Sequence, residues 1–307
     1  MADTPPANAD VLMQLFAQNP PKTALEMRQM LEGMAGFLNA DLPEVGDFQA
    51  GVEVGPGMTT DVVVPRAAGP HPVLVYLHGG GWVAGSPATH CKLAYRFAEA
   101  GYLVFNVDYR LAPEHPFPTP YDDCVAALRW AQREAGRWGG DPARLAVGGD
   151  SAGGNLSAAA ACALADDVAR PKAALLIYGV FDFATIGETE GVEGAPSEGP
   201  LAEMGQDLME IMVGSYLGSE PDAALLKDPR VSPIHCAAKL PPSHVVVGSA
   251  DPLVLQARAL VEVLKREGVE HELFVDEGMP HGYAQMEMLA PARPAIDRMV
   301  EFLRKHV

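Results

Sequence analysis

The sequence is poor in positive charge. It has 22 Lys and Arg against 40 Asp and Glu among 307 residues, which gives a formal net charge of −18 at pH 7. Proteins that bind nucleic acid or an anionic membrane surface need a positive field to attract phosphate groups. We therefore expect no nucleic-acid partner and no membrane partner.

Cysteines are few and long apolar runs are missing. Cys91, Cys124, Cys162 and Cys236 form no CxxC pair and no Cys/His ligand spacing, which predicts free thiols. No apolar run reaches the roughly 18–20 residues that span a bilayer. The segment before Lys22 has two acidic residues and no basic one, unlike a signal or transit peptide. Together these features predict a cytoplasmic protein.

Short apolar runs alternate with longer helical patterns from about residue 50 onward. Near-continuous apolar strands separated by helices indicate a mostly parallel central sheet with helices on both faces, an α/β protein. The predicted strands are 61–64, 73–77, 102–107, 144–148, 173–178, 244–248 and 271–275. The predicted helices are 88–100, 121–138, 152–166, 254–267 and 292–305.

Two stretches, 1–48 and 181–232, do not follow this alternation. Both have apolar residues at helical spacing: Met27, Met30, Leu31, Met34 and Leu38 in the first, and Met204, Leu208, Ile211 and Met212 in the second. They are either ordinary amphipathic faces packed on the core or a cap over the carboxyl edge of the sheet. We predict an N-terminal cap segment at 1–48 and a cap insertion at 181–232, with an α/β core at 49–180 and 233–307.

A G-x-S-x-G pattern lies at Gly149–Gly153, within RLAVGGDSAGGN. An apolar strand precedes it and an Ala-rich helix follows, the strand–turn–helix context that exposes a serine hydroxyl above a sheet edge. The start of the helix also favours negative charge next to that serine. The alternative is an ordinary glycine-rich turn. The pattern predicts Ser151 as a nucleophile.

The strand at 73–77 ends in HGGGW, at 78–82. Successive glycines let backbone N–H groups approach a ligand closely. Such a loop supplies oxyanion donors opposite a serine elbow, and the N–H of Ala152 is the other donor. Residues 79–84 also fit the dinucleotide fingerprint G-x-G-x-x-A. Trp82 argues against that alternative, since it stands where a helix would have to begin.

The acid and the base of a serine hydrolase should follow the nucleophile. In the α/β-hydrolase order, the serine comes first, then Asp or Glu, then His. Asp251 follows the strand at 244–248, and His281 follows the strand at 271–275. Asp276 and Glu277 remain alternative acids. The other histidines after Ser151 come before Asp251, open a strand at the wrong edge, or are terminal: His235, His244, His271 and His306.

With these residues in view, the chain resembles the hormone-sensitive-lipase-like esterases of the α/β-hydrolase superfamily, the bacterial family IV. The resemblance rests on HGGGW at 78–82, DYRLAPEHPFP at 108–118, DPARLAVGGDSAGGNL at 141–156, DPRVSP at 228–233, DPL at 251–253 and HGY at 281–283. It implies an α/β-hydrolase fold with a helical cap. It also implies an oxyanion hole made by Gly80, Gly81 and Ala152, with Gly79 adjacent.

The function that follows is carboxylesterase activity on small, uncharged, short-acyl esters, with no metal or organic cofactor. An amidase or peptidase on the same fold and a non-catalytic ligand receptor are the alternatives, and a homodimer is left open. The insertion at 181–232 holds 11 acidic and two basic residues. It is either a solvated surface or a cap that disfavours anionic esters.

Overall fold

The computed structural model describes residues 20–192 and 200–307, without the side chains of 200–202. Residues 1–19 of the predicted N-terminal cap segment and 193–199 of the predicted insertion therefore lie outside the described residues. Across the described ranges, no helix combines the length and hydrophobicity needed to cross a membrane.

Within the described residues, eight strands form one sheet in the order β1-β2-β4-β3-β5-β6-β7-β8. Strand β2 is antiparallel to β1 and β4, and all the pairs from β4 to β8 are parallel. The strands are β1 (Asp47–Gly55), β2 (Met58–Val64), β3 (His71–Leu77), β4 (Leu103–Asp108), β5 (Gly140–Asp150), β6 (Ala174–Ile177), β7 (Ser243–Gly248) and β8 (His271–Asp276).

The helices of the described residues are α1 (Ala24–Leu38), α2 (Cys91–Glu99), α3 (Thr119–Glu134), α4 (Ala152–Ala163), α5 (Pro200–Leu217), α6 (Ala223–Leu226), α7 (Val254–Glu267) and α8 (Ala292–His306). In the same described ranges, four short 3₁₀ segments lie at 135–138, 183–185, 233–239 and 283–285. Helix α4 is buried from Ala152 to Cys162. Its small side chains allow this close approach to the sheet. The predicted α/β fold with a mostly parallel sheet is confirmed.

The structure adds one strand that the sequence pattern missed. Strand β1 is mostly exposed, and it pairs with β2 through a tight antiparallel connection. An exposed edge strand buries neither face fully, so its sequence DFQAGVEVG has no apolar run. Strand detection from apolar runs therefore worked in the buried parallel part of the sheet and failed at this edge.

Candidate active site

Ser151 lies in a sharp turn between the end of β5 and the start of α4. Its backbone has φ 54° and ψ −119°, which is strained for a residue with a side chain. The N–H of Ser151 donates to the carbonyl oxygen of Ile177 at 2.9 Å. A Cβ on Gly153 would lie 1.9 Å from the carbonyl oxygen of Leu77, so this position needs glycine. The turn holds the hydroxyl of Ser151 at the carboxyl edge of the parallel strands.

His281 connects Ser151 to Asp251. Its Nε2 lies 3.0 Å from Ser151 Oγ, and its Nδ1 lies 2.8 Å from Asp251 Oδ2. Asp251 is buried, and its other oxygen accepts from the N–H of Leu253 at 2.7 Å. The structure thus brings the three residues together from turns after β5, β7 and β8. The chain Ser–His–Asp can deprotonate the hydroxyl while the carboxylate orients the imidazole.

The alternative acids have other surroundings. Asp276 accepts from Nη2 of Arg298 at 2.8 Å and from the hydroxyl of Tyr283. Glu277 is exposed. His244 and His271 lie at the starts of β7 and β8, as the second and the first residue of these strands, and so lie at the opposite edge of the sheet from Ser151. Within the described residues, only Asp251 bonds to Nδ1 of His281.

The glycine loop after β3 turns sharply. Gly80 has φ 124°, and a Cβ there would lie 2.2 Å from the carbonyl oxygen of Ala84. The N–H groups of Val83 and Ala84 both donate to the carbonyl oxygen of Gly80. Among the residues that the structure describes, the N–H groups of Gly80 and Gly81 have no protein acceptor. They are free to bind an oxyanion.

Gly79, which the sequence places next to Gly80 and Gly81 at the predicted oxyanion hole, has a hydrogen-bond acceptor within the protein. Its N–H donates to Asp150 Oδ1 at 3.1 Å and is thereby engaged inside the protein. The dinucleotide-loop alternative is wrong, because the next helix after the glycines begins only at Cys91. A phosphate-binding helix start is therefore lacking at this loop.

His78 stabilises the glycine loop from below. Its ring stacks on Tyr109 with centroids 4.3 Å apart, and the hydroxyl of Tyr109 donates to the carbonyl oxygen of His78 at 2.7 Å. Burial, reinforced by nearby His90, lowers the pKa of His78 to about 3. The ring is therefore neutral and has a structural role at this position.

A cavity of about 400 Å³ opens above Ser151 and His281. Helices from both outlying segments line it with apolar side chains, namely Met27, Leu31, Met34 and Leu38 from α1 and Leu208, Met209 and Met212 from α5. Exposed acidic residues of α5 lie outside this lining: Glu203, Asp207 and Glu210. The space next to the nucleophile is apolar, and the acidity of α5 faces solvent.

The chain is similar to known α/β hydrolases. A family model described as "alpha/beta hydrolase fold" matches residues 74–285. Carboxylesterase NlhH of Mycobacterium tuberculosis is 36% identical over 224 residues, covering 72% of this chain and 69% of that protein. The chain belongs to the hormone-sensitive-lipase-like family of α/β-hydrolase esterases. The resemblance that the motifs indicated is confirmed, and this esterase is a carboxylic ester hydrolase.

Other relatives lead to the same family. Ethyl acetate hydrolase of Pseudomonas putida is 35% identical over 240 residues, 76% of this chain and 73% of that protein. A solved esterase from the bacterial hormone-sensitive lipase family is 36% identical, with a TM-score of 0.80 over 100% of this chain and 99% of that one. The hyperthermophilic esterase of the archaeon Pyrobaculum calidifontis is 29% identical, with a TM-score of 0.84 over 99% of both chains.

Arg28 is a residue of the esterase site region that sequence reasoning missed. On α1, its Nε donates to the carbonyl oxygen of Val83 at 2.6 Å and its Nη2 donates to that of Ala112 at 2.6 Å. It also pairs with Glu114, and this hydrogen bond lowers the pKa of Glu114 to about 2. Arg28 thus fastens α1 to the glycine loop and to the YRLAPEHPFP stretch. Its only sequence signal was that it is the sole basic residue of α1.

The protonation of His281 decides whether it can act as a base. Burial lowers its pKa, but the charge and hydrogen bond of Asp251, together with the charge of Asp150, outweigh burial and raise it above the ordinary 6.5. The imidazolium form is therefore favoured more than in a free histidine.

We predict that kcat/KM for an uncharged ester falls as pH decreases through a value above 6.5, since His281 must be neutral to accept the proton of Ser151. The measurement is kcat/KM between pH 5 and 9 at constant ionic strength. An acidic midpoint at or below 6.5 would contradict the raised pKa.

Proposed function

We propose that Ser151, His281 and Asp251 are the catalytic triad of an esterase for short-acyl, uncharged carboxylic esters. The observation that carries this proposal is the continuous hydrogen-bonded chain of 3.0 Å and 2.8 Å from Ser151 Oγ through the imidazole to the buried carboxylate. Strain at Ser151, which has φ 54°, supports it as well, because such strain clusters at functional sites.

In the first half-reaction, Ser151 Oγ attacks the ester carbonyl carbon while His281 Nε2 takes the hydroxyl proton. The N–H groups of Gly80, Gly81 and Ala152 bind the resulting oxyanion, at about 3–4 kcal/mol per donor. Collapse of this tetrahedral intermediate breaks the bond to the leaving oxygen, which receives the proton from His281 and departs as the alcohol. An acyl-enzyme on Ser151 remains.

In the second half-reaction, His281 takes a proton from water as the water oxygen attacks the acyl carbonyl. The oxyanion forms again at the same N–H groups. The bond to Ser151 Oγ then breaks, Ser151 regains its proton from His281, and the carboxylic acid leaves. Throughout, Asp251 keeps the imidazole oriented and stabilises its charged form.

We further propose that the segments containing α1 and α5 are the cap of this esterase. Apolar side chains of both helices line the cavity above Ser151, and Arg28 fastens α1 to the glycine loop. Methionines in this lining suit substrates of varied shape, because their side chains are flexible and unbranched.

A cytoplasmic location is part of the proposal and is supported by the four free thiols.

The size and polarity of the cavity support the substrate class. Its volume of about 400 Å³ lies near the lower end of the range for ligand pockets, about 300–1,000 Å³. The ionisable side chains that line the cavity are His90, Asp150 and His281, and no Lys or Arg of the described residues is part of this lining. A carboxylate on the substrate would lose its hydration there without gaining a partner.

We predict that p-nitrophenyl acetate and butyrate are the best substrates in a C2–C16 acyl series, and that a neutral ester is hydrolysed at least about tenfold faster than its analogue with a free carboxylate. The measurement is kcat/KM at low and high salt. Maximal activity at C10 or longer would refute the short-acyl assignment, and a preference for the carboxylate ester would refute the charge argument. Matched anilides test the amidase alternative.

A further inference from the structure

Asp150 is a buried carboxylate directly before the nucleophile. Its Oδ1 accepts from the hydroxyl of Tyr76 at 2.9 Å and from the N–H of Gly79 at 3.1 Å. Its Oδ2 accepts from Nε2 of Gln285 at 2.7 Å, and Nε2 of His90 lies 3.3 Å away. One side chain therefore contacts groups from four other segments of the chain.

Two of these segments carry the rest of the proposed machinery. Gly79 begins the glycine loop, and its bond to Asp150 leaves the N–H groups of Gly80 and Gly81 as the free donors of that loop. Gln285 ends the 3₁₀ segment that follows His281. The carboxylate next to the nucleophile thus bonds to both the oxyanion loop and the segment of the base.

We propose that Asp150 is a positioning residue that holds the oxyanion loop and the His281 segment at their working distances from Ser151 and supplies a second anion beside the imidazole. The proposal rests on the proposed triad. In this role Asp150 takes no part in proton transfer and acts through Gly79 and Gln285. Errors of about 1 Å in such positions cost about 10²-fold in rate.

The charge of Asp150 is maintained by its partners. Burial raises its pKa, but the charge and hydrogen bond of His90 and the hydrogen bond of Tyr76 together lower it below the ordinary value. Asp150 is therefore ionised at neutral pH, and its charge helps to raise the pKa of His281.

Five other titratable side chains face Asp150 or His281. They are Tyr76 in β3, His78 just after β3, His90, Tyr178 just after β6 and Asp251 after β7. Burial raises the pKa of both tyrosines well above the ordinary value and lowers that of His78 to about 3. These three side chains are neutral at pH 7. Asp150 and Asp251 are thus the two anions that favour the imidazolium.

Asp150→Asn tests the proposal because it keeps the shape of the side chain and removes its charge. An asparagine side chain has only one acceptor oxygen, so its amide N–H must face a group that donates a hydrogen bond to Asp150 in the wild type. We expect kcat on p-nitrophenyl butyrate to fall by about 10²-fold, KM to change less than about threefold, and the acidic midpoint of kcat/KM to move to lower pH. A purely structural role would lower the Tm without moving that midpoint.

A charge swap and a matched control sharpen the test. In the double variant Asp150→Asn, Gln285→Glu, the new amide at position 150 can donate to the new carboxylate at position 285. Part of the lost kcat and part of the shift in the pH midpoint should therefore be recovered. The control is Asp123→Asn, another buried carboxylate, which pairs with Arg110 at 2.6 Å. It should lower the Tm and leave the pH midpoint unchanged.

The proposal is overturned if folded Asp150→Asn keeps kcat within about twofold and the wild-type pH midpoint. If that variant does not fold, Gln285→Leu removes the bond between Asp150 and the His281 segment together with the contact of Gln285 with His90, and kcat within twofold of wild type overturns the proposal equally. Failure of the triad is a separate result. It would appear as ester hydrolysis that survives Ser151→Ala, whereas failure of this inference leaves the wild-type activity dependent on Ser151.

Discussion

Ser151→Ala should lower kcat for p-nitrophenyl butyrate by about 10⁶-fold, the scale of loss on removing a catalytic serine. The hydroxyl is 3.0 Å from Nε2 of His281, and without it no acyl-enzyme can form. Alanine keeps the Cβ and hence the backbone of the turn, so the circular dichroism spectrum and the Tm should stay close to wild type. The residual rate is measured with a large excess of purified variant.

A matched control lies on the same helix. Ser157 is buried on α4, and its hydroxyl has no hydrogen-bond partner among the described residues. Ser157→Ala should therefore keep kcat within about twofold, since it removes no bond and leaves a void of one oxygen. An organophosphonate should label the wild type and Ser157→Ala but not Ser151→Ala. Labelling of the Ser151→Ala variant would show that another nucleophile performs the reaction.

The second large effect concerns Asp251→Asn, which should lower kcat by about 10⁴-fold with little change in KM. One oxygen of Asp251 accepts from the N–H of Leu253 at 2.7 Å, and the other accepts from His281 Nδ1 at 2.8 Å. In the variant, the amide oxygen retains the bond to Leu253, so the amide N–H faces Nδ1. The imidazole then carries its proton on Nε2 and cannot accept the proton of Ser151.

Asp276→Asn is the control for this second effect. Asp276 is the last residue of the parallel strand β8, shortly before His281 in the chain, yet it bonds to Arg298 and Tyr283. Its substitution weakens that ion pair and should lower the Tm while activity stays within about fivefold, by analogy with other structural ion pairs. If Asp276→Asn lost as much activity as Asp251→Asn, the acid of the triad would have to be reassigned.

Much of the site was predictable because its requirements are local. A serine on a turn between a buried strand and a helix needs small neighbours. At Gly153, for example, a Cβ would lie 1.9 Å from the carbonyl oxygen of Leu77. The buried parallel strands also appear as apolar runs, since both of their faces are covered. Strand β1 shows the limit of this approach, because an exposed edge strand has no such run.

The hydrogen-bond partners of the polar groups were harder to predict from the sequence. Gly79 is indistinguishable from its neighbouring glycines in sequence, and its N–H turns to Asp150 only because the end of β5 lies beside that of β3. Arg28 and Val83 are far apart along the chain, and their hydrogen bond follows from how α1 packs over the glycine loop. Motif and spacing contain no information on such contacts.

The sequence by itself determined the fold class, the family and the residue types of the candidate site, because glycine-dependent turns, apolar periodicity and chain order act over a few residues at a time. Tertiary structure alone decided which carboxylate faces His281 and which glycine N–H groups remain free. It also decided that Asp150 bonds both to the glycine loop and to the segment after His281. Hydrogen bonds form within about 3 Å and only in suitable directions. Which of several candidate groups meets those conditions depends on how the whole sheet, its helices and its loops pack together.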